Sequence, residues 1–313
     1  MNPVPGMQSA LNPQGPHAEA IATLAWVLIG AAAVILVVVL LLAAYALWGP
    51  ARRRAWAADP RFIIAGGIVF PVVTLTALLV YTFVLERSLL TRTEPPAVRI
   101  AVTGYQWWWR VAYLDARGAV DFVTANEIRI PAGRPVELAL ESADVIHSFG
   151  VPNLGGKLDM IPGRVTRMTL QAHRPGTYRG QCVEYCGGPH AKMALYVIAE
   201  APEDFERWRT NQRTPAAPAP DATAERGGTL FTGHCGACHT VRGTTANGTL
   251  GPDLTHLASR VSLAAGILPM NRGTLAGWVS ASQEIKPGNL MPSMNFFSGE
   301  ELQALAVYLE SLR

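Results

Sequence analysis

From Ile21 to Trp48 the chain carries no charged residue. A helix of that length, rising about 1.5 Å per residue, exceeds the ~30 Å hydrocarbon core of a bilayer. A second uncharged run, Phe62 to Leu85, is interrupted only by Gly66, Gly67, Pro71 and a few threonines. The two runs predict a transmembrane helical hairpin, with spans over 21–48 and 62–85. A cleaved signal peptide fits the first run poorly: it is too long, no Lys or Arg precedes it, and no small-residue cleavage site closes it. The loop between the spans holds Arg52, Arg53, Arg54 and Arg61. Positive residues stay on the cytoplasmic side, so both termini and everything after the second span are expected outside.

Beyond the hairpin the pattern changes to short alternating runs such as "AVRIAVTG", "VELALES" and "MALYVIAE", bounded by Gly and Pro. Period-two Val, Ile, Thr and aromatic residues argue an all-β sandwich or barrel. Residues 210–226, "TNQRTPAAPAPDATAER", are poor in large apolar side chains and predict a semi-extended linker. In the final stretch Ser298 and Glu301 have capping-box spacing, and Leu302, Leu305, Ala306, Leu309 and Leu312 share one helical face. The expected division is an outer segment at 1–20, the hairpin at 21–92, the β domain at 93–209, the linker, and a small helical domain at 227–313.

Composition agrees with a membrane anchor. Of 313 residues, half are hydrophobic and only 16% are charged, against about 25% in an average soluble domain. The net charge of +3 is uninformative about partners. Basic and acidic residues number 13 and 12 over 96–210 and six each over 225–313, which excludes a nucleic-acid-binding reading.

The four cysteines form two close pairs. "CGACH", from Cys235 to His239, is the attachment signature of c-type haem: both thiols form thioethers and the adjacent His ligates the iron. Its position on the outer side, near the start of a small helical domain, suits that role. A methionine on the opposite face of the haem would raise its potential. Met270, Met291 and Met294 are available, and Met291 is favoured because "NLMPSM" resembles the N-x-M-P loop of class I cytochromes c. "GPDL" at 251–254 resembles the segment whose proline carbonyl supports the proximal histidine in that class.

The other pair lies in "QCVEYCGGPHAKM". A disulfide between Cys182 and Cys186 would leave His190 and Met193 unexplained. Zinc would need a further Cys or His pair and binds thioether poorly. A redox dithiol would be C-x-x-C beside a βαβ pattern. Thiolate, imidazole and thioether together select copper, with His147 of "SADVIHSFGVP" as the upstream histidine. Two thiolates can bridge two copper ions. His147 and His190 then serve one ion each, Met193 is a weak ligand to one, and the Glu184 carbonyl reaches the other. Such a centre moves electrons and performs no substrate chemistry.

The pattern C-x-E-x-C-x3-H-x2-M, with D-V-x-H-S-F upstream, resembles the dinuclear copper (CuA) domain of cytochrome c oxidase subunit II. The resemblance extends over the two spans, the aromatic run "GYQWWWR" and "VPNLGGKLDMIPGR". With a haem domain appended, the chain is most similar to caa-type members. The resemblance implies a cupredoxin-like Greek-key barrel and an all-α class I cytochrome c domain behind the membrane hairpin. It implies that electrons enter the copper domain at Trp107. It also implies that the Glu184 side chain touches a magnesium ion shared with subunit I. The partners implied are subunits I and III of a haem-copper terminal oxidase, the lipid bilayer, and an external donor, either cytochrome c or a quinol:acceptor reductase complex. The setting implied is the bacterial inner membrane, with the soluble domains periplasmic. Dioxygen reduction and proton pumping would occur in subunit I, because this chain has too few histidines for the required haems and third copper. The alternatives are the copper subunit of a nitric oxide reductase and a stand-alone anchored electron carrier. Many members of the family carry a glutamate about seven residues before the proline of the second span. Ile64 stands there, so the resemblance does not extend to proton uptake by that route.

Trp108 is expected to be the structural member of the tryptophan run, and His17, His173, His234 and His256 are read as surface histidines rather than ligands.

Overall fold

The computed structural model describes residues 8–50, 59–90 and 94–313. The chain falls into two compact units, one comprising residues 19–94 and the other the remainder.

The first unit is built on the two apolar runs. α1 (Pro16–Trp48) is 33 residues of continuous helix, and its long apolar window buries nothing. The second span starts at α2 (Pro60–Ile64), where the Asp59 carboxylate accepts the Arg61 N–H and Pro60 occupies the first turn. It passes through a five-residue π-helical segment, Ala65–Val69, into α3 (Phe70–Leu90). Pro71 explains the widened turn, because its ring cannot tolerate the carbonyl four residues back and has no N–H to offer. Ile64 closes α2 immediately before this segment. Both helices are long and apolar enough to cross a bilayer. Arg52, Arg53 and Arg54, on which the expected orientation rests, lie outside the described residues.

The β domain contains two five-stranded sheets. One has the order β3-β2-β1-β5-β8, formed by β1 (Val98–Tyr105), β2 (Trp108–Leu114), β3 (Val120–Ala125), β5 (Val136–Ser142) and β8 (Thr166–Leu170). The other has the order β4-β10-β9-β6-β7, formed by β4 (Glu127–Pro131), β6 (His147–Gly150), β7 (Lys157–Met160), β9 (Gly176–Cys182) and β10 (Ala194–Glu200). Alternation places Val136, Leu138 and Leu140 of β5 inside, against Ile128 and Ile130 of β4 and Phe149 of β6 in one continuous core. Tyr113 ties strands together as well as filling space: its hydroxyl accepts the Arg129 N–H and donates to the Arg129 carbonyl, both at 2.7 Å.

Within the tryptophan run, strand alternation begins one residue later than expected. Trp107 lies in the turn between β1 and β2, Trp108 stacks on Tyr105 with ring centroids 4.8 Å apart, and Trp109 is the fully buried core residue.

α4 (Pro202–Gln212) closes the sandwich by packing Trp208 on Tyr113 and Phe122, with Phe205 beside Trp208. The non-helical connection is 213–221, shorter than the 210–226 expected, because α4 runs to Gln212 and Asp221 caps α5 (Ala222–His234) by accepting the Ala224 N–H. It is also held along its length. The Thr214 carbonyl meets His256 Nε2 at 3.1 Å, and the Ala216 N–H donates to the Arg242 carbonyl. His256 is thus a buried histidine and not a surface one, its other ring nitrogen facing the Arg313 carbonyl.

The helical domain continues with the short ribbon β11 (Ser262–Leu263) and β12 (Leu268–Pro269), then α6 (Arg272–Ser280), α7 (Ser282–Ile285) and α8 (Gly299–Ser311). The Ser298–Glu301 capping box forms as the spacing predicts. Leu305, Ala306, Leu309 and Leu312 are buried around Phe231 of α5.

Candidate functional site

The first centre is assembled from one loop and one strand end. Cys182 is the last residue of β9 and Met193 precedes β10, so the β9–β10 connection presents Cys182, Cys186, His190 and Met193 together. His147 joins them because β6 pairs with β9, Phe149 lying opposite Cys182. The imidazole has room only because residue 104 is glycine: a Cβ there would sit 2.8 Å from His147 Cδ2.

The donor atoms converge. Cys182 Sγ lies 3.7 Å from Cys186 Sγ and 3.8 Å from His147 Nδ1. Cys186 Sγ lies 3.4 Å from His190 Nδ1 and 3.8 Å from Met193 Sδ, and the Glu184 carbonyl is 3.3 Å from Cys182 Sγ. A disulfide would bring the sulfurs to about 2.05 Å. Ligands about 2.0–2.3 Å from a shared ion stand roughly 3.3–3.8 Å apart, which is the spacing seen here. His147, Cys182, Cys186 and Met193 are all buried, and the soft donor set fits copper.

Protonation follows from the contacts. Asp144 Oδ1 sits 2.8 Å from His147 Nε2, so that nitrogen donates and Nδ1 is the atom turned toward Cys182. Burial disfavours a charged His147, but the Cys182 and Asp144 contacts outweigh it and raise its pKa overall. The two thiols titrate as a coupled pair. The hydrogen bond from Cys186 lowers the Cys182 pKa, and the Cys182 thiolate raises that of Cys186. A bound cation would drive off the thiol protons. Asp144 was not singled out from the sequence. Its position three residues before His147 in D-V-x-H is the signal that could have found it. Its carboxylate also accepts the Gln106 N–H, joining the aromatic turn to His147.

Trp107 is half-buried against this loop. Its Nε1–H donates to the Cys186 carbonyl at 2.9 Å, and Gln106 Nε2 donates to the same oxygen at 2.8 Å. The ring is bracketed by two glycines: a Cβ on Gly187 would lie 3.0 Å from Trp107 Cζ2, and one on Gly288 would lie 3.6 Å from Cη2. The Glu184 side chain points away from the sulfurs and meets Lys157 Nζ at 3.3 Å.

In the second centre α5 ends at His234, which delivers Cys235 and Cys238 as free thiols on the next turn, Cys235 half-buried and Cys238 exposed. His239 Nδ1 is 2.8 Å from the Pro252 carbonyl. That oxygen only accepts, so Nδ1 carries the proton and Nε2 is left with its lone pair. Burial lowers the His239 pKa, against the Pro252 hydrogen bond, and favours the neutral, metal-binding form. Gly251 packs against this ring, its absent Cβ leaving space 2.5 Å from His239 Cε1. Paired thiols beside a neutral, oriented imidazole suit a covalently held haem. Met291 is held by its backbone, whose carbonyl accepts from Ser282 Oγ and Gln283 Nε2 and whose N–H donates to Asn289 Oδ1. Met270, Met291 and Met294 all pack against the helical core.

Comparisons with known proteins agree with both centres. Residues 117–200 match the family described as cytochrome c oxidase subunit II, periplasmic domain, and residues 224–313 match the family described as cytochrome c. The cytochrome c oxidase subunit 2 of Alkalihalophilus pseudofirmus is 34% identical over 252 residues, which are 78% of this chain and 71% of that protein. The subunit 2 of Bacillus sp. strain PS3 is 28% identical over 71% of this chain and 64% of its own length. Among solved structures, the periplasmic domain of subunit II of cytochrome oxidase from Bradyrhizobium japonicum shares 30% identity over 38% of this chain and 95% of that domain, at a TM-score of 0.36. The family matches and the subunit 2 relatives imply a copper centre in the β domain, a haem in the helical domain and a complex with subunit I, and they do not favour a nitric oxide reductase or a stand-alone carrier. The chain therefore belongs to the cytochrome c oxidase subunit 2 family, as a membrane-anchored electron-transfer subunit of a haem-copper oxidase that carries its own cytochrome c domain.

Proposed function

We propose that this subunit holds two copper ions and one covalent haem, and that Trp107 lies between them. When bound, these groups supply one-electron redox chemistry that connects an external donor, a cytochrome c or a quinol-oxidising complex, to subunit I. The observation that carries the reading is the convergence of two thiols, two imidazoles and a thioether within 3.8 Å links. Cys182, Cys186, His147, His190 and Met193, with the Glu184 carbonyl, would hold the copper. Burial keeps water from the sulfurs, and Asp144 orients His147. Cys235 and Cys238 would hold the haem covalently, and His239 and Met291 are the residues that would serve its iron. The contact of Trp107 with the Cys186 carbonyl on one side and Gly288 on the other supports its place in the route.

The Glu184 carboxylate, exposed and paired only with Lys157 among the contacts described, is available to a magnesium ion at the face of subunit I. The soluble domains lie on the periplasmic side of the bacterial inner membrane, by the charge of the loop between the spans, and subunit III completes the complex.

The test is metal content. The full chain, matured with haem and copper, should carry two coppers and one covalent haem. Cys186→Ser should abolish the EPR signal of an electron shared by two coppers and leave the haem absorption intact. One copper per chain, or zinc alone, would refute the dinuclear reading.

A further inference from the structure

The contacts between the helical domain and the β domain include three groups of hydrogen bonds. The Ala194 N–H, at the start of β10, donates to the Ala265 carbonyl at 2.9 Å. The Glu127 carboxylate accepts the Val261 N–H at 2.9 Å, and the Arg129 guanidinium donates to the Ser259 carbonyl at 3.0 Å. Lys286 Nζ donates to the Trp107 carbonyl at 2.6 Å and to the Ala264 carbonyl at 3.2 Å.

The loop that receives two of these bonds is strained. Ala264 and Ala265 have φ of 53° and 62°, a region costly for any residue with a Cβ. Their carbonyls are the ones aimed at Lys286 and at Ala194. Lys286 is only 2% exposed, and lysine is almost never so buried without partners. Burial, with Lys192 nearby, opposes its charge and pushes the amine down to about 7 against the attraction of Cys186, and its hydrogen-bond partners there are the two carbonyls. Nearby, Lys192 of the copper-side loop donates to the Ile285 carbonyl, which brings a second lysine to the same segment from the opposite domain.

We propose that Lys286 is a positioning residue that latches the cytochrome domain onto the β domain and fixes the 286–291 loop against Trp107. Its amine ties the Trp107 turn, the 264–265 loop and the segment leading to Met291 in one contact. Transfer between the two centres then starts from a fixed pose and needs no docking search. The assignment rests on the reading of Trp107 as the residue between haem and copper.

The test uses the full chain loaded with haem and copper. In Lys286→Met, hydrogen exchange at the Ala194 and Val261 amides should accelerate at least tenfold, while that at Leu138 in β5 stays unchanged. After photoreduction of the haem, its reoxidation by the copper centre should be independent of solvent viscosity in the wild type. In Lys286→Met it should slow at least tenfold and become viscosity-dependent, with the haem band unaltered. A viscosity-dependent wild-type rate overturns the latch whether or not the variant folds, and so do wild-type exchange and rate in Lys286→Met. Trp107→Leu reads the underlying assignment separately. An unchanged rate removes Trp107 from the route, while viscosity-independent transfer in that variant still supports the latch.

Discussion

Replacing Gly104 with alanine should empty part of the copper centre without unfolding the protein. The new Cβ would lie 2.8 Å from His147 Cδ2, 3.0 Å from Cγ and 3.3 Å from Cβ, whereas carbons at rest stand about 3.5–4.0 Å apart. Something must therefore move by roughly 0.7 Å or more. The ring is enclosed: it is fully buried, its Nε2 is bound to Asp144, and Trp109 lies 6.2 Å away, centroid to centroid. β1 is also held on both sides, by β2 and by β5. Overpacking of this kind costs about 1–3 kcal/mol, which a folded domain survives. Ligand sites tolerate far smaller displacements, about 0.2 Å in a metal–ligand distance. Copper affinity should fall at least as far as when a ligand's supporting contact is lost, about 10–100-fold. The assay is the copper-to-haem ratio of the purified chain by elemental analysis and haem absorption, with Gly277→Ala, whose Cβ meets open space, as control. A full copper complement and an unchanged copper EPR signal in Gly104→Ala would refute the reasoning.

Gly251→Ala should act on the other centre in the same way. Its Cβ would sit 2.5 Å from His239 Cε1, so the haem should remain attached through Cys235 and Cys238 while its axial ligation weakens, read as a low-spin to high-spin change in the visible spectrum. Asp121 sets an acid dependence of stability. The hydrogen bond from Arg213, outweighing partial burial, holds its carboxyl below the usual carboxylate range. A lowered folded-state pKa gives stability that is complete above the unfolded value near pH 3.9 and disappears as pH falls through the folded value. Asp121→Asn should therefore cost about 1 kcal/mol at neutral pH and progressively less below about pH 4, measured by thermal unfolding of the β domain within the intact chain.

Much of the candidate chemistry was legible in the chain because its residues are neighbours in sequence. Cys182, Cys186, His190 and Met193 share one loop, and Cys235, Cys238 and His239 share one turn, so spacing alone brings their donors within reach. Other parts were not legible. Asp144 looks like any loop carboxylate until its contact with His147 is seen. Lys286 looks like a solvated lysine until its burial and its contact with the Trp107 carbonyl are seen. Strand alternation pointed to Trp108 as the structural tryptophan, but the turn at Gln106 and Trp107 starts β2 at Trp108 and gives the core to Trp109.

The sequence by itself determined the two apolar spans, the all-β and helical domains and the local ligand loops. Each of these depends on charge, period or spacing within a few tens of residues. Tertiary structure alone decided that His147 faces Cys182 across the β6–β9 pairing, that Trp107 abuts the Cys186 carbonyl 79 residues away, and that Lys286 reaches the Trp107 carbonyl across 179 residues. Sheet register and domain docking come from packing between distant segments, and no periodicity along the chain records which carbonyl a buried amine will meet.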